Sequence, residues 1–455
     1  MIKKGQSRKK RGPKAWSKYL IGGTVVLTAG IVCVCLIGLV RSRGKEHLSS
    51  ERLWSRERGN DSENGLQGGK DTNGAEGQES RDRMAEEQDA GRQTEWAREI
   101  LDQMTMEEKA AQLFIITPEQ LTGGSQVTVA DETIREALKQ YPVGGLIYFS
   151  GNLVDPAQLK EMTSHTQTYA MEHSGIPLFL SIDEEGGEIA RIGTHEGFQV
   201  EQVSAMAEIG ASGDWAMAYD AGNTIGTYLR EYGINVDFAP DADVLTNPDN
   251  TVVKTRSFGT DPELVTKMSL AYLDGLTGQG VYGVPKHFPG HGATKGDSHQ
   301  GYAYADKTWE ELEKTDLVPF YAMAERQVPF IMAGHISLPR ITGEDVPCSL
   351  SGEALQGYLR EKMGYEGIII TDALNMGAIQ EHYPSGQAAV MAFKAGADML
   401  LMPSDFHAAY EEVVRAVRDG EISVERLDGS VLRILKVKAG LPGSFSKNSK
   451  NIVKR

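Results

Sequence analysis

The chain has 455 residues, with 47 Lys and Arg against 63 Asp and Glu, and a formal net charge of −16. That acidic balance suits solubility and argues against a nucleic-acid partner. Cys33 and Cys35 lie in an apolar stretch and only Cys348 lies elsewhere, so a disulfide framework is excluded and an ordinary core must supply stability.

Residues 1–18 carry eight Lys and Arg and no acid, and read as a basic cytoplasmic leader. Tyr19 to Val40 follows with 22 uncharged residues closed by Arg41, so 19–41 is predicted to be a transmembrane signal anchor. At about 1.5 Å per residue the run makes roughly 33 Å of helix, against a hydrocarbon core of about 30 Å. The basic flank then orients the chain as a single-pass cell-membrane protein with its bulk outside the cytoplasm. A cleaved signal peptide fits less well, because the run is long for an h-region and no A-x-A site stands near its end. Residues 42–93 are rich in Glu, Arg, Gly, Ser, Asp, Asn and Gln, with almost no β-branched or aromatic residues. Such a segment cannot bury enough apolar surface to offset its ordering entropy and is expected to be a disordered linker.

Folded texture runs over 94–440, followed by a short basic tail at 441–455. Thr105 with Glu108 forms a capping box ahead of KAAQLF. Eight short apolar runs then alternate with longer helical patterns: 113–117, 144–149, 177–183, 235–241, 283–288, 330–335, 367–372 and 398–403. Near-continuously apolar strands separated by helices indicate a parallel sheet, and eight of them fit a single closed (β/α)8 barrel of the TIM type. An open doubly wound sheet is the rival. The barrel is preferred because Asp183, Asp241, His287, His335 and Asp372 each end an apolar run, and in a barrel those ends converge on one face.

Several of these strand ends can carry chemistry. Asp372 closes GIIITD and is either a helix N-cap or a functional carboxylate. In SIDEEGGEIARI, Asp183 ends a strand, Gly186 and Gly187 permit a tight turn, and Arg191 is close enough to return toward the strand end. The segment KHFPGHGATKGDSH places His287, His291 and His299 in one glycine-rich stretch with Asp297. H-x3-H would suit a metal on a helix, but Pro289 and Gly290 break any helix there, and on a loop the spacing is uninformative. Lys286 precedes the glycines, which is not P-loop order. Acid/base chemistry is the third reading. Asp297 and His299 share a face in extended conformation, and a carboxylate beside an imidazole fixes its tautomer. Such a dyad needs a separate nucleophile, which Asp372 can supply.

KHFPGHG followed by DSH, with IIITDALNMGAI, IDEEGG, NPDNTVVKTRSF and MAGHISLP, resembles glycoside hydrolase family 3 and, within it, the β-N-acetylglucosaminidases (β-N-acetylhexosaminidases). The resemblance covers about 95–440. It implies a (β/α)8 fold, no cofactor or metal, and hydrolysis with retention of anomeric configuration. It further implies Asp372 as nucleophile, His299 as general acid/base and Asp297 as its partner. Asp183, Arg191, Arg256, Lys286 and His287 match positions that grip a terminal N-acetylglucosamine (GlcNAc). The chain departs from the family's usual pattern at Ala293, Ala373 and Glu188, none of which removes a catalytic group. The expected protein is thus a membrane-anchored exo-β-N-acetylglucosaminidase acting on β-linked GlcNAc saccharides, with peptidoglycan fragments as the expected source. A family-3 β-glucosidase, a GlcNAc phosphorylase and an inactive wall-binding module are the alternatives.

Overall fold

A computed structural model describes residues 88–295, 303–343, 345–441 and 444. The predicted leader and anchor (1–41) and most of the predicted linker fall outside the described residues, as do Asp297 and His299.

All eight apolar runs contain strand: β1 (Phe114–Ile116), β2 (Gly145–Ile147), β3 (Phe179–Ile182), β4 (Val236–Asp237), β5 (Tyr282–Gly283), β6 (Phe330–Ala333), β7 (Ile368–Thr371) and β8 (Leu400–Leu401). The expectation of one closed eight-stranded barrel is nevertheless corrected. The laddered sheet is an open six-stranded parallel half-barrel in the order β8-β1-β2-β3-β4-β5, and β6 with β7 forms a separate parallel pair. Among the described residues that pair joins the rest through isolated bridges, Phe288 to Ala333 and Ile370 to Met399, with a few backbone hydrogen bonds around each, rather than through continuous ladders. The physical reason lies in the sequence after β5, where Pro285 and Pro289 flank the bridge and have no N–H with which to extend a ladder. No helix among the described residues is long and apolar enough to cross a membrane.

Helices return the chain between strands, and their starts are encoded locally. In α1 (Pro156–Ser174) the Asp155 carboxylate accepts from the N–H groups of Ala157 and Gln158, with Pro156 in the first turn, and Gly175 ends the helix at φ +69°. In α2 (Trp215–Glu231) and α3 (Pro262–Gly278), Asp214 and Asp261 cap in the same way. These two helices touch backbone to backbone: a Cβ on Gly222 would stand 2.1 Å from Tyr272 O, and one on Gly275 2.3 Å from Tyr219 O. Only glycine permits that approach.

Inside the sheet, Phe179 of β3 meets Phe330 of β6 edge-on, with ring centroids 5.2 Å apart. Each fully buried ring of this kind contributes about 2–3 kcal/mol. Lys438, from α4 (Val424–Ala439), reaches the same region fully buried, donating to Gln112 Oε1 at 2.8 Å. Burial pushes its ammonium well below the ordinary lysine range.

Asp398, just before β8, ties β7 and α4 together. Its Oδ2 accepts from Ile369 N (3.0 Å) and Arg360 Nη2 (2.6 Å), and its Oδ1 from Ser430 Oγ (2.5 Å) and Arg433 Nη1 (3.1 Å). Replacing one member of a buried ion network leaves its partners' charges uncompensated. Asp398→Ala is therefore expected to lower unfolding free energy by about 3–5 kcal/mol in urea denaturation, whereas an effect under about 1 kcal/mol would show that the cluster is dispensable.

Candidate active site

The polar residues that follow the strands form one buried network. After β3 the chain makes a tight hairpin (Glu184–Gly186 with Ile189–Ala190), turning through Gly186 at φ +95° and Gly187 at φ +58°, both in the left-handed region. This brings Arg191 back beside Asp183, with Nη2 to Oδ2 at 3.9 Å and the guanidinium 5.7 Å from the centre of the Phe149 ring.

Glu185 is the hub. It is 1% exposed and receives Arg256 in a two-point clamp, Nε to Oε2 at 2.8 Å and Nη2 to Oε1 at 2.7 Å. Lys286 Nζ joins at 2.7 Å from Glu185 Oε1 and at 2.9 Å from Asp183 Oδ1. Burial alone would raise the Glu185 carboxyl, but Arg256 and Lys286 hold it well below the usual carboxylate range. Burial likewise opposes the charges of Lys286 and Arg256, and their carboxylate partners overcome it, so both stay above their ordinary values.

A second layer orients His287. Its Nδ1 lies 2.8 Å from Asp243 Oδ2, and Asp243 Oδ1 accepts the backbone N–H groups of His287 (3.2 Å) and His291 (2.6 Å). An acceptor on Nδ1 puts the proton there and turns Nε2 toward Arg256 Nη2, 3.4 Å away. Asp243 is fully buried, which would raise its carboxyl, yet His287 and the donors from 291 lower it. His291 is pushed down to about 4 by burial and by His287, so it is neutral at pH 7, and its Nδ1 meets Thr294 Oγ1 at 2.8 Å.

Asp241, Asp243 and His287 offer ligand atoms within 4.8 Å of one another, close enough to enclose a cation. The fit to a metal is poor. Asp243 already spends both oxygens on N–H donors, and the Arg256 guanidinium stands 3.6 Å from Asp241 Oδ2. Arg256 is the cation of this site.

Asp372 follows β7 and its N–H donates to Ala333 O at 2.8 Å, while its Oδ1 accepts from Ala373 N at 2.8 Å. Burial raises its carboxyl, but His335, His287, the Ala373 N–H and Lys286 together leave it below the ordinary aspartate value, hence ionised at neutral pH. His335 braces the adjoining turn. Its Nε2 is 2.9 Å from Ala373 O, which can only accept, so Nε2 carries a proton, and its Nδ1 meets Ser349 Oγ at 2.7 Å.

Of the residues singled out from sequence, Asp183, Lys286, Arg256 and His287 are thus joined by direct contacts, with Arg191 at their edge and Asp372 in their field. Asp297 and His299 lie outside the described residues. Sequence reasoning passed over Glu185 and Asp243. Asp241-x-Asp243 was the available signal, two acids sharing one face of an extended segment, and Glu185 stands directly before the Gly186–Gly187 turn.

A parallel α/β unit whose ionisable groups gather beyond the C-terminal ends of its strands has the design of a small-molecule enzyme rather than of a binding lattice. Residues 105–437 match the Glycosyl hydrolase family 3 N terminal domain, and the chain belongs to that family. It is 34% identical over 343 residues to beta-hexosaminidase A of Pseudoalteromonas piscicida, an alignment covering 70% of this chain and 57% of that protein. It is 35% identical over 276 residues to beta-hexosaminidase LpqI of Mycobacterium tuberculosis, covering 59% of this chain and 70% of that one. Among solved structures, the family 3 beta-N-acetylglucosaminidase of Paenibacillus sp. str. FPU-7 superposes with a TM-score of 0.69 at 37% identity, covering 74% of this chain and 63% of that one. The chain therefore spans less than two thirds of the length of two of these three relatives.

The charge network gives an acid-sensitivity prediction. Glu185 has its folded pKa depressed below the ordinary glutamate value of 4.5, so its stabilisation is complete above about pH 4.5 and is lost as pH falls further. Glu185→Gln is expected to cost about 3–5 kcal/mol at pH 7 by leaving Arg256 and Lys286 without that partner. The gap to the parent protein should narrow between pH 5 and pH 3, read as Tm against pH; a constant gap would mean that the carboxylate's charge is not what matters.

Proposed function

We propose that the protein is a retaining exo-β-N-acetylglucosaminidase. The observation that carries this reading is Asp372, a carboxylate kept ionised at a strand-end mouth where Asp183 and the donors of Arg256, Lys286 and His287 are held by buried partners. The family, and relatives named as beta-hexosaminidases, support it. Asp183, Arg191, Arg256, Lys286 and His287 hold the hydroxyls of a terminal GlcNAc. Asp372 attacks the anomeric carbon while His299, oriented by Asp297, gives its proton to the departing glycosidic oxygen. The C–O bond to the leaving group breaks as the bond to Asp372 forms. In the second step His299 takes a proton from water, the hydroxide oxygen bonds to the anomeric carbon, and Asp372 departs as a carboxylate. Two inversions give retention.

An imidazole in place of the usual second carboxylate does not repel an incoming anion. Phosphate belongs in the assay for that reason. We take peptidoglycan fragments as the source of the saccharide and place the catalytic unit outside the cytoplasm, the latter on the residue pattern of 1–41 alone. Cell fractionation with protease added to intact cells tests the location: protection of the chain from protease would overturn it.

Turnover of aryl β-GlcNAc and aryl β-glucoside, each with and without phosphate, tests sugar and reaction type together. Hydrolysis of the GlcNAc substrate is expected, with glucose 1-phosphate and GlcNAc 1-phosphate absent. Asp372→Ala should lower kcat by on the order of 10³-fold or more, and residual activity near the parent level would refute the nucleophile assignment. His299→Ala should slow substrates with poor leaving groups more than nitrophenyl glycosides, because only the former need the proton.

A further inference from the structure

Glu184 is fully buried, yet it lines neither the mouth nor the contacts of the charge network. Its Oε2 accepts from Ile192 N at 2.9 Å, and its Oε1 accepts from Gly193 N at 2.7 Å and from Tyr228 Oη at 2.8 Å. Its own N–H donates to Asp237 Oδ1 at 3.0 Å, at the end of β4. The side chain thus fastens the turn 191–193 to the segment after β3 and, through Tyr228, to α2, while the backbone N–H of the same residue ties that segment to β4. Arg191 begins that turn. Its remaining restraints are weak by comparison: an ion pair at the 3.9 Å limit with Asp183 and a 5.7 Å approach to the Phe149 ring. Its Nε is buried without a hydrogen bond among the described residues. The guanidinium itself is therefore loosely held, and the direction from which it meets the mouth is set by its backbone.

We propose that Glu184 is a positioning residue for Arg191, holding the 191–193 turn so that the guanidinium faces the sugar. This rests on the assignment of Arg191 to sugar binding. The geometry also grades the variants. Alanine releases all three donors. Glutamine keeps one acceptor oxygen, enough for Gly193 N–H and Tyr228 O–H, and sets an amide N–H against Ile192 N–H. Tyr228→Phe removes a single donor.

A double-mutant cycle separates this role from general stability, because residues acting through one another are non-additive. With an aryl β-GlcNAc substrate, Arg191→Ala is expected to raise KM about 10- to 100-fold, the range for losing a charged hydrogen-bond donor. Glu184→Ala should raise KM about tenfold with kcat within about threefold. Glu184→Gln and Tyr228→Phe should fall between that and the parent protein. In the Arg191→Ala background, Glu184→Ala should change KM less than about twofold. An equal effect of Glu184→Ala in both backgrounds overturns the positioning role while leaving the assignment of Arg191 intact. An unchanged KM for Arg191→Ala alone overturns that assignment and the inference with it. Near-UV circular dichroism checks folding, and if Glu184→Ala does not fold, Tyr228→Phe carries the same cycle.

Discussion

The clamp of Arg256 on Glu185 is the contact on which the site depends. Both groups are almost free of solvent, and taking either charge out of water costs several kcal/mol unless the partner is present in good geometry. The fork of the guanidinium supplies two parallel bonds of 2.8 and 2.7 Å, and Lys286 closes the remaining side at 2.7 Å. Once that triad is satisfied internally, the outward-facing donors of Arg256 and Lys286 are fixed in direction without any ligand. A polar ligand entering the mouth would meet donors that need not reorganise, which is how polar recognition gains from preorganisation.

The same fixed charges set the state of the groups around them. Asp243, anchored by backbone N–H groups, holds His287 in one tautomer and so decides which ring nitrogen faces the mouth. His335 works differently, as a bridge between Ser349 and the carbonyl of Ala373, holding the turn directly after Asp372. The carboxylate of Asp372 is thereby aimed by its own backbone and by a neighbour's ring, on a strand end rather than on a long loop. Rigid elements place reacting groups better than loops do.

The strand runs were legible because four or five consecutive apolar residues flanked by capped helices have few other solutions. Asp155 before Pro156 and Asp261 before Pro262 announce their helices without help from tertiary structure. Ladder closure was not legible, because it turns on N–H groups missing at Pro285 and Pro289 and on strands of two residues, below the scale of a hydrophobic pattern. Asp372, Lys286 and His287 could be picked out because strand ends expose chemistry at predictable places. Glu185 and Asp243 escaped notice for the opposite reason. Their work is done on other side chains, from positions 71 and 44 residues away in sequence, and no local spacing records such a partner.

Burial does not decide in which direction the acids of this region shift. Glu185, Asp243 and Asp372 are held below their ordinary values, whereas Glu184, Asp237 and Asp241 are pushed above theirs, and burial acts in the same direction on all six. What separates the two sets is the partner. Glu185 has two cations in contact, and Asp243 and Asp372 have imidazoles and N–H donors. Asp237 faces Glu184, and Asp241 faces Asp243 with Arg256 only at 3.6 Å. Cations are therefore the limiting element. With Arg256 and Lys286 committed to Glu185 and Asp183, any further buried acid must stay neutral or borrow its donors from the backbone. A mouth in which positive and negative groups are matched this closely presents directional donors and acceptors with little net field, and that environment favours an uncharged, hydroxyl-rich ligand over an ion.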